Sequence, residues 1–225
     1  MTDIKDLWQS SQTQFQLSVE EGIKSLEHAK TPLIFLKSLL DLKIAVHRIK
    51  GIAGISPNPE DKTWLIQFEV LLSELCVCPS PLDSQQEFID YIKKVFYQKE
   101  SVNYSQPSKP SVQEIRSRYP DLFQLLPWSI DLFQRVDLIK LNFLRIALAE
   151  GHSLHWASYE IPLETLPNLK EFAHLPEGVT LIDLWPRIDQ ETVTVRLVLT
   201  SQSKNPALLL KPLTPAGTRF QSAQR

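Results

Sequence analysis

The spacing of apolar residues between prolines constrains this chain more than any other feature. In the first hundred residues, prolines stand only at 32, 57, 59, 79 and 81. Proline lacks the N–H that an interior helical residue donates, and its ring clashes with the turn before it. These positions can therefore open or close a helix but cannot lie inside one. Between them, apolar residues recur at three- and four-residue steps, the period of a helix with one buried face. Residues 3 to 28 carry Ile4, Leu7, Trp8, Phe15, Val19, Ile23 and Leu26 in that pattern. A second helix follows Pro32, a good first helical residue. It runs through "LIFLKSLLDLKIAVHRIKGIAGI" and ends near "SPNPE". A third, "DKTWLIQFEVLLSEL", stops before "CPSP". The fourth, "DSQQEFIDYIKKVFYQ", starts at Asp83 or Ser84, either of which can cap it. Four helices with short connections predict an antiparallel up-and-down bundle over residues 1–99.

The pattern then changes. Residues 100–112, "ESVNYSQPSKPSV", are polar with two prolines, a linker composition. Beyond them "VDLIKLNFLRIALAEG" reads as a helix closed by Gly151. "HSLHWASYEI", "VTLIDLWPRI" and "TVTVRLVLT" read as strands, the last alternating and rich in β-branched residues. The expected architecture is α + (α+β): the helical bundle, then a small α+β sandwich domain over 113–202. Residues 203–225 are expected to form a loosely ordered tail, apart from "ALLL".

With 43% hydrophobic and 22% charged residues, the composition is that of an ordinary globular protein. A net charge of −2 offers no basic footprint for nucleic acid. No apolar run approaches the roughly 20 residues of a membrane span, and the N-terminus has no basic start followed by an apolar core. A cytoplasmic protein without membrane or nucleic-acid partners is expected. Cys76 and Cys78 are read as two half-buried thiols at a helix end. His152 and His155, three apart on a strand, would point to opposite faces, so neither a metal nor a cofactor is predicted. Leu7, Trp8 and Phe15, if exposed at the start of the first helix, would support pairing of two chains as a homodimer.

The chemistry gathers in "AVHRIKGIAGI", residues 45 to 55, which spends two of only six glycines inside a helix. Glycine there costs roughly 0.5–1 kcal/mol against alanine. With His47 set at zero and about 100° per residue, Lys50 falls near −60°, Gly51 near 40° and Gly54 near −20°. One stripe thus bears an imidazole, an ammonium and two positions without side chains. Leu42, Ala45, Ile49 and Ile52 form the expected core side. Absent side chains let another molecule approach closely. A ring nitrogen can act as a nucleophile on a phosphoryl group, and Lys50 can compensate the oxygen charge. A carboxylate accepting from the other ring nitrogen would fix the tautomer, and Glu69 on the third helix is the candidate.

With these residues, the region resembles histidine phosphotransfer (HPt) domains, most closely the N-terminal HPt domain of chemotaxis-type histidine kinases. The resemblance spans roughly the first 100 residues: the long first helix, the "AVHRIKGIAGI" helix, and the helix bearing Glu69. Ile52 stands where a small or hydroxyl residue is usual, and Ile66 where a second histidine is frequent. The resemblance implies that His47 accepts the phosphoryl group, Lys50 stabilises its charge and Glu69 orients the imidazole. It further implies that Gly51 and Gly54 clear the docking face. The implied partners are a response-regulator receiver domain and a histidine kinase catalytic domain acting in trans. Residues 113–202 faintly resemble the small α+β module that follows the HPt domain in some such kinases. No nucleotide-binding segment of a kinase occurs, so the expectation is a phosphorelay intermediate without its own ATP chemistry. The rival expectation is an unphosphorylated adaptor that binds receiver or kinase domains.

Overall fold

The computed structural model describes residues 4–78, 83–99, 137–165, 178–189 and 191–203. It also describes 113, 117, 120, 175, 205, 206, 210 and 213–223. They belong to two compact units, Met1–Lys109 and Pro110–Arg225. The predicted linker, 100–112, lies outside the described residues.

The first unit holds four helices: α1 (Ile4–Glu27), α2 (Pro32–Ile52), α3 (Glu60–Cys76) and α4 (Gln85–Gln98). Pro32, Pro57 and Pro59 act as expected. Pro32 opens α2 behind Thr31, whose hydroxyl accepts from the Ile34 N–H at 3.3 Å. At its far end α2 tightens into a 3-10 turn, Ala53–Ile55, immediately before the Pro57–Pro59 break. α1 packs along α2, α2 along α3, and α4 against α1. Gly22 of α1 permits the first contact, because a Cβ there would lie 3.1 Å from Leu42 Cδ1. Phe35, Leu39 and Val46 of α2 are fully buried, as are Phe68 and Leu72 of α3 and Ile92 of α4. The indole N–H of Trp64 donates to the Val95 carbonyl at 3.1 Å, tying α3 to α4.

Two expectations change here. Trp8 and Phe15 are buried, not exposed; Phe15 meets Phe96 edge-on at 5.8 Å, and only Leu7 of the three faces solvent. An aromatic pair between helices is worth more inside the unit than at its surface. The buried arc of α2 is also rotated by about one residue. Val46 and Ala53 join Leu42 and Ile49 in the core, while Ala45 and Ile52 are half-buried. The cause is that α2 packs against both α1 and α3, so its apolar arc is wider than a single contact would make it.

The first helix of the second unit to be described along its whole length is α5 (Leu138–Ala149). It is capped by Asp137, whose carboxylate accepts from the Lys140 N–H at 2.9 Å. Gly151 then turns the chain at a φ of 86°, which glycine adopts without strain. Strands β1 (Ser153–Pro162), β2 (Val179–Asp189), β3 (Thr192–Ser201) and β4 (Gln221–Ala223) form one antiparallel sheet in the order β2-β3-β1-β4. Val193, Val195, Leu197 and Leu199 alternate along β3 and are fully buried. Val179 and Leu210 pack on Leu197 and Leu199, with Phe220 partly covering them. The expected loose tail is therefore corrected in its described part. Gln221–Ala223 pairs with Leu154–Trp156, satisfying backbone groups on an edge of β1 that would otherwise stay unpaired. His152 and His155 are both buried beside this edge.

Phe68 is fully buried and stacked on Trp64 at 5.7 Å. Phe68→Ala should therefore destabilise the helical unit by about 3–5 kcal/mol, and Thr31→Ala by about 1 kcal/mol. Urea unfolding of the full chain followed by helical circular dichroism measures both; equal midpoints for Phe68→Ala and the parent would contradict this packing.

Candidate functional site

The site begins with a turn. His47 stands ten residues before Pro57 and Glu69 eleven residues after Asn58. At about 1.5 Å of rise per residue, two antiparallel helices leaving that turn bring both positions to nearly the same height, about 15–17 Å away. Asp61 locks the turn. Its carboxylate accepts from the Ser56 hydroxyl at 2.7 Å and from the Lys99 ammonium at 3.0 Å, and the residue is only 7% exposed. Ser56 Oγ also accepts the Asn58 N–H, and Asn58 Oδ1 accepts the Glu60 N–H, each at 3.1 Å. Lys99, just beyond α4, lies 5.5 Å over the Trp64 ring and holds a left-handed φ of 50°. Helices α2 and α3 are thus held in one register.

In that register Glu69 Oε1 lies 2.8 Å from His47 Nδ1. A carboxylate only accepts, so Nδ1 carries the ring proton and Nε2 presents its lone pair. The second oxygen, Oε2, accepts from the Lys50 ammonium. One carboxylate therefore serves two cations or donors of α2 from the neighbouring helix. Exposure divides their roles: the His47 side chain is 68% exposed, Lys50 27% and Glu69 16%. The imidazole stands out while its anchor is withdrawn.

Burial alone would raise the Glu69 carboxyl. Hydrogen bonds from Lys50 and His47, with their charges, outweigh burial and hold it below the ordinary glutamate value of 4.5. Gly51, in the last turn of α2, and Gly54, in the 3-10 turn beyond it, are both exposed, and a Cβ built on either would meet nothing within 4 Å. No internal packing therefore demands glycine at these positions.

Of the residues singled out in the sequence, His47, Lys50 and Glu69 meet in these hydrogen bonds, while Gly51 follows Lys50 in the last turn of α2 and Gly54 lies beyond it in the 3-10 turn. Two features of the site went unread. Lys50 was expected to stand free beside the imidazole, whereas it is paired with Glu69. Ile44 and Ile66, 47% and 41% exposed, stand one turn before His47 and Glu69 respectively and add apolar surface. The 100° step already placed Ile44 near 60° on the histidine stripe, which was the available signal. Elsewhere, Cys76 is buried and Cys78 half-buried, and neither is in a disulfide. Among the described residues no group of three or more His, Cys, Asp or Glu side chains is placed to hold a metal ion. No described helix is long and apolar enough to cross a membrane.

Because Glu69 titrates below its ordinary value, its contacts contribute stability above about pH 4.5 and lose it as pH falls through the lower, folded value. Carbon-13 titration of the Glu69 carboxyl should place its midpoint below 4.5 in the parent and higher in Lys50→Met. A midpoint unmoved by Lys50→Met would mean that the ammonium does not hold the carboxylate.

Comparison with protein-family models, curated proteins and solved structures finds no match to this chain.

Proposed function

We propose that this chain is a histidine-containing phosphotransfer protein that carries a phosphoryl group on His47 to or from a response-regulator receiver domain. The four helices of the first unit would form the antiparallel bundle of an HPt domain, and the α+β unit would serve docking. The observation that carries this reading is an imidazole with one nitrogen held by a withdrawn carboxylate and the other offered on an open face. A histidine kept only for packing would be buried, and a casual surface histidine would have no fixed tautomer. The bare positions at Gly51 and Gly54 support it further, since they are unexplained by the fold and suited to a close-fitting partner.

In the forward step Nε2 attacks the phosphorus of a receiver's aspartyl phosphate. The new N–P bond forms as the P–O bond breaks, and the aspartate leaves as a carboxylate. The reverse step returns the group to a receiver. Through both, the Nδ1 proton stays on the hydrogen bond to Glu69, whose charge offsets the positive charge that grows on the ring. Phosphoryl transfer depends chiefly on position and charge compensation, which a preset tautomer and a nearby ammonium supply. A kinase catalytic domain on another chain is the other source of the group, with both exchanges set in the cytoplasm.

Incubation with a phosphorylated receiver, or with a chemotaxis-type kinase domain and ATP, should give acid-labile, base-stable label on the chain. His47→Gln should abolish it, and Glu69→Gln should slow it by at least about tenfold. Tight receiver binding with no label in any pairing would instead establish the adaptor. Gly51→Ala should separate folding from docking, raising stability by roughly 0.5–1 kcal/mol while a bulkier Gly51→Leu slows transfer from the receiver without unfolding the chain. Unchanged transfer in Gly51→Leu would remove the glycines from the docking face.

A further inference from the structure

The geometry points to Lys50 as a movable charge: it neutralises Glu69 while His47 is bare, and passes to the phosphoryl group once one is attached at Nε2. This inference rests on the phosphotransfer reading and adds a switch to that site. At rest both Glu69 oxygens are occupied, Oε1 by the imidazole N–H and Oε2 by the ammonium. Lys50 therefore begins away from the nitrogen that reacts.

The ammonium sits at the end of a four-carbon stem one helical turn from His47, and it is 27% exposed. It can swing without disturbing the core. A phosphoryl group brings about 1.5–2 negative charges near neutral pH, with three acceptor oxygens. Glu69 brings one charge, already shared with the Nδ1 proton. At comparable distance the Coulomb attraction scales with charge, so the phosphoryl group wins the ammonium. Glu69 keeps its bond to Nδ1, which strengthens as the phosphorylated ring becomes more positive.

The exchange gives the bare and phosphorylated faces different charge patterns beyond the phosphoryl group itself. At rest the ammonium and carboxylate cancel close to the core. After phosphorylation the ammonium moves outward onto the transferred group, and the carboxylate is matched by the ring alone. A partner reading this face meets two arrangements of the same three side chains.

The full chain, carbon-13 labelled, can be phosphorylated by phosphoramidate. Nε2 forms the N–P bond as the P–N bond of the donor breaks and ammonia leaves, while the Nδ1 proton remains in place. The readout at neutral pH is the Glu69 carboxylate carbon signal, assigned by its loss in Glu69→Gln. The expected result is that phosphorylation moves this signal in the parent chain markedly toward its position in unphosphorylated Lys50→Met. In Lys50→Met itself, phosphorylation should move the signal only by the smaller change that the stronger Nδ1 hydrogen bond causes. A second measurement needs no variant: the Lys50 ammonium nitrogen should gain a correlation to phosphorus. Label on His47 with an unmoved Glu69 signal would overturn the switch and leave the relay standing, as would equal movement in both chains. Absence of label on His47 with phosphoramidate, receiver and kinase alike would overturn both.

Discussion

A turn of fixed length underlies everything in the helical unit. Pro57 and Pro59 forbid α2 to continue, and Asp61 gathers Ser56 and Lys99 so that α3 returns in a single register. Burying a carboxylate is costly unless its oxygens are satisfied. Asp61 is satisfied by a hydroxyl on one oxygen and an ammonium on the other. Losing a residue from this turn would rotate α3 by about 100° against α2 and carry Glu69 off the histidine face. The chemistry at residue 47 is thus prepared at residues 56 to 61, a helix-half away.

Glu69 repeats the same logic for a different end. It too accepts on both oxygens, from an imidazole and an ammonium, and it too is mostly withdrawn. The difference lies in what the partners do. Around Asp61 they close a loop; around Glu69 they are held at the edge of an open surface. A short-range anchor on one helix and a reactive group on the next makes the pair sensitive to how tightly α2 and α3 pack. Packing is therefore a determinant of tautomer, and Phe68, one residue before Glu69, is fully buried and stacked on Trp64 and Phe96.

Much of this was legible in the chain because its signals are local. Proline and cap residues act within a turn of themselves, so both ends of α2 and the start of α3 follow from Thr31, Pro32, Pro57 and Pro59, whereas α4 starts after Ser84 without a bond from its side chain. The β-branched alternation of "TVTVRLVLT" identifies β3 for the same reason. The glycine pair beside His47 was readable because glycine in a helix interior needs an explanation outside the helix. What escaped was nonlocal. Ala45 and Ile52 were placed in the core because a wheel does not know that α2 has two neighbours. The pairing of residues 221–223 with β1 joins segments far apart in sequence, and nothing in "QSA" announces it. Lys50 was seen to share the face of His47, but its pairing depends on the height of Glu69, which the turn sets.

The sheet unit carries two imidazoles of another kind. Burial pushes His155 below its ordinary value near 6.5, the Ser203 backbone offsetting only part of this, and burial likewise lowers His152 against the pull of Glu150. Folded, these two imidazoles bind fewer protons than in the unfolded chain in mild acid, so the stability they contribute declines once pH drops beneath about 6.5. The carboxylate of Glu69 does not begin to surrender its contribution until roughly two pH units lower, below 4.5. Mild acid thus draws first on the two buried imidazoles of the sheet unit, and only stronger acid on the Glu69 contacts of the helical one.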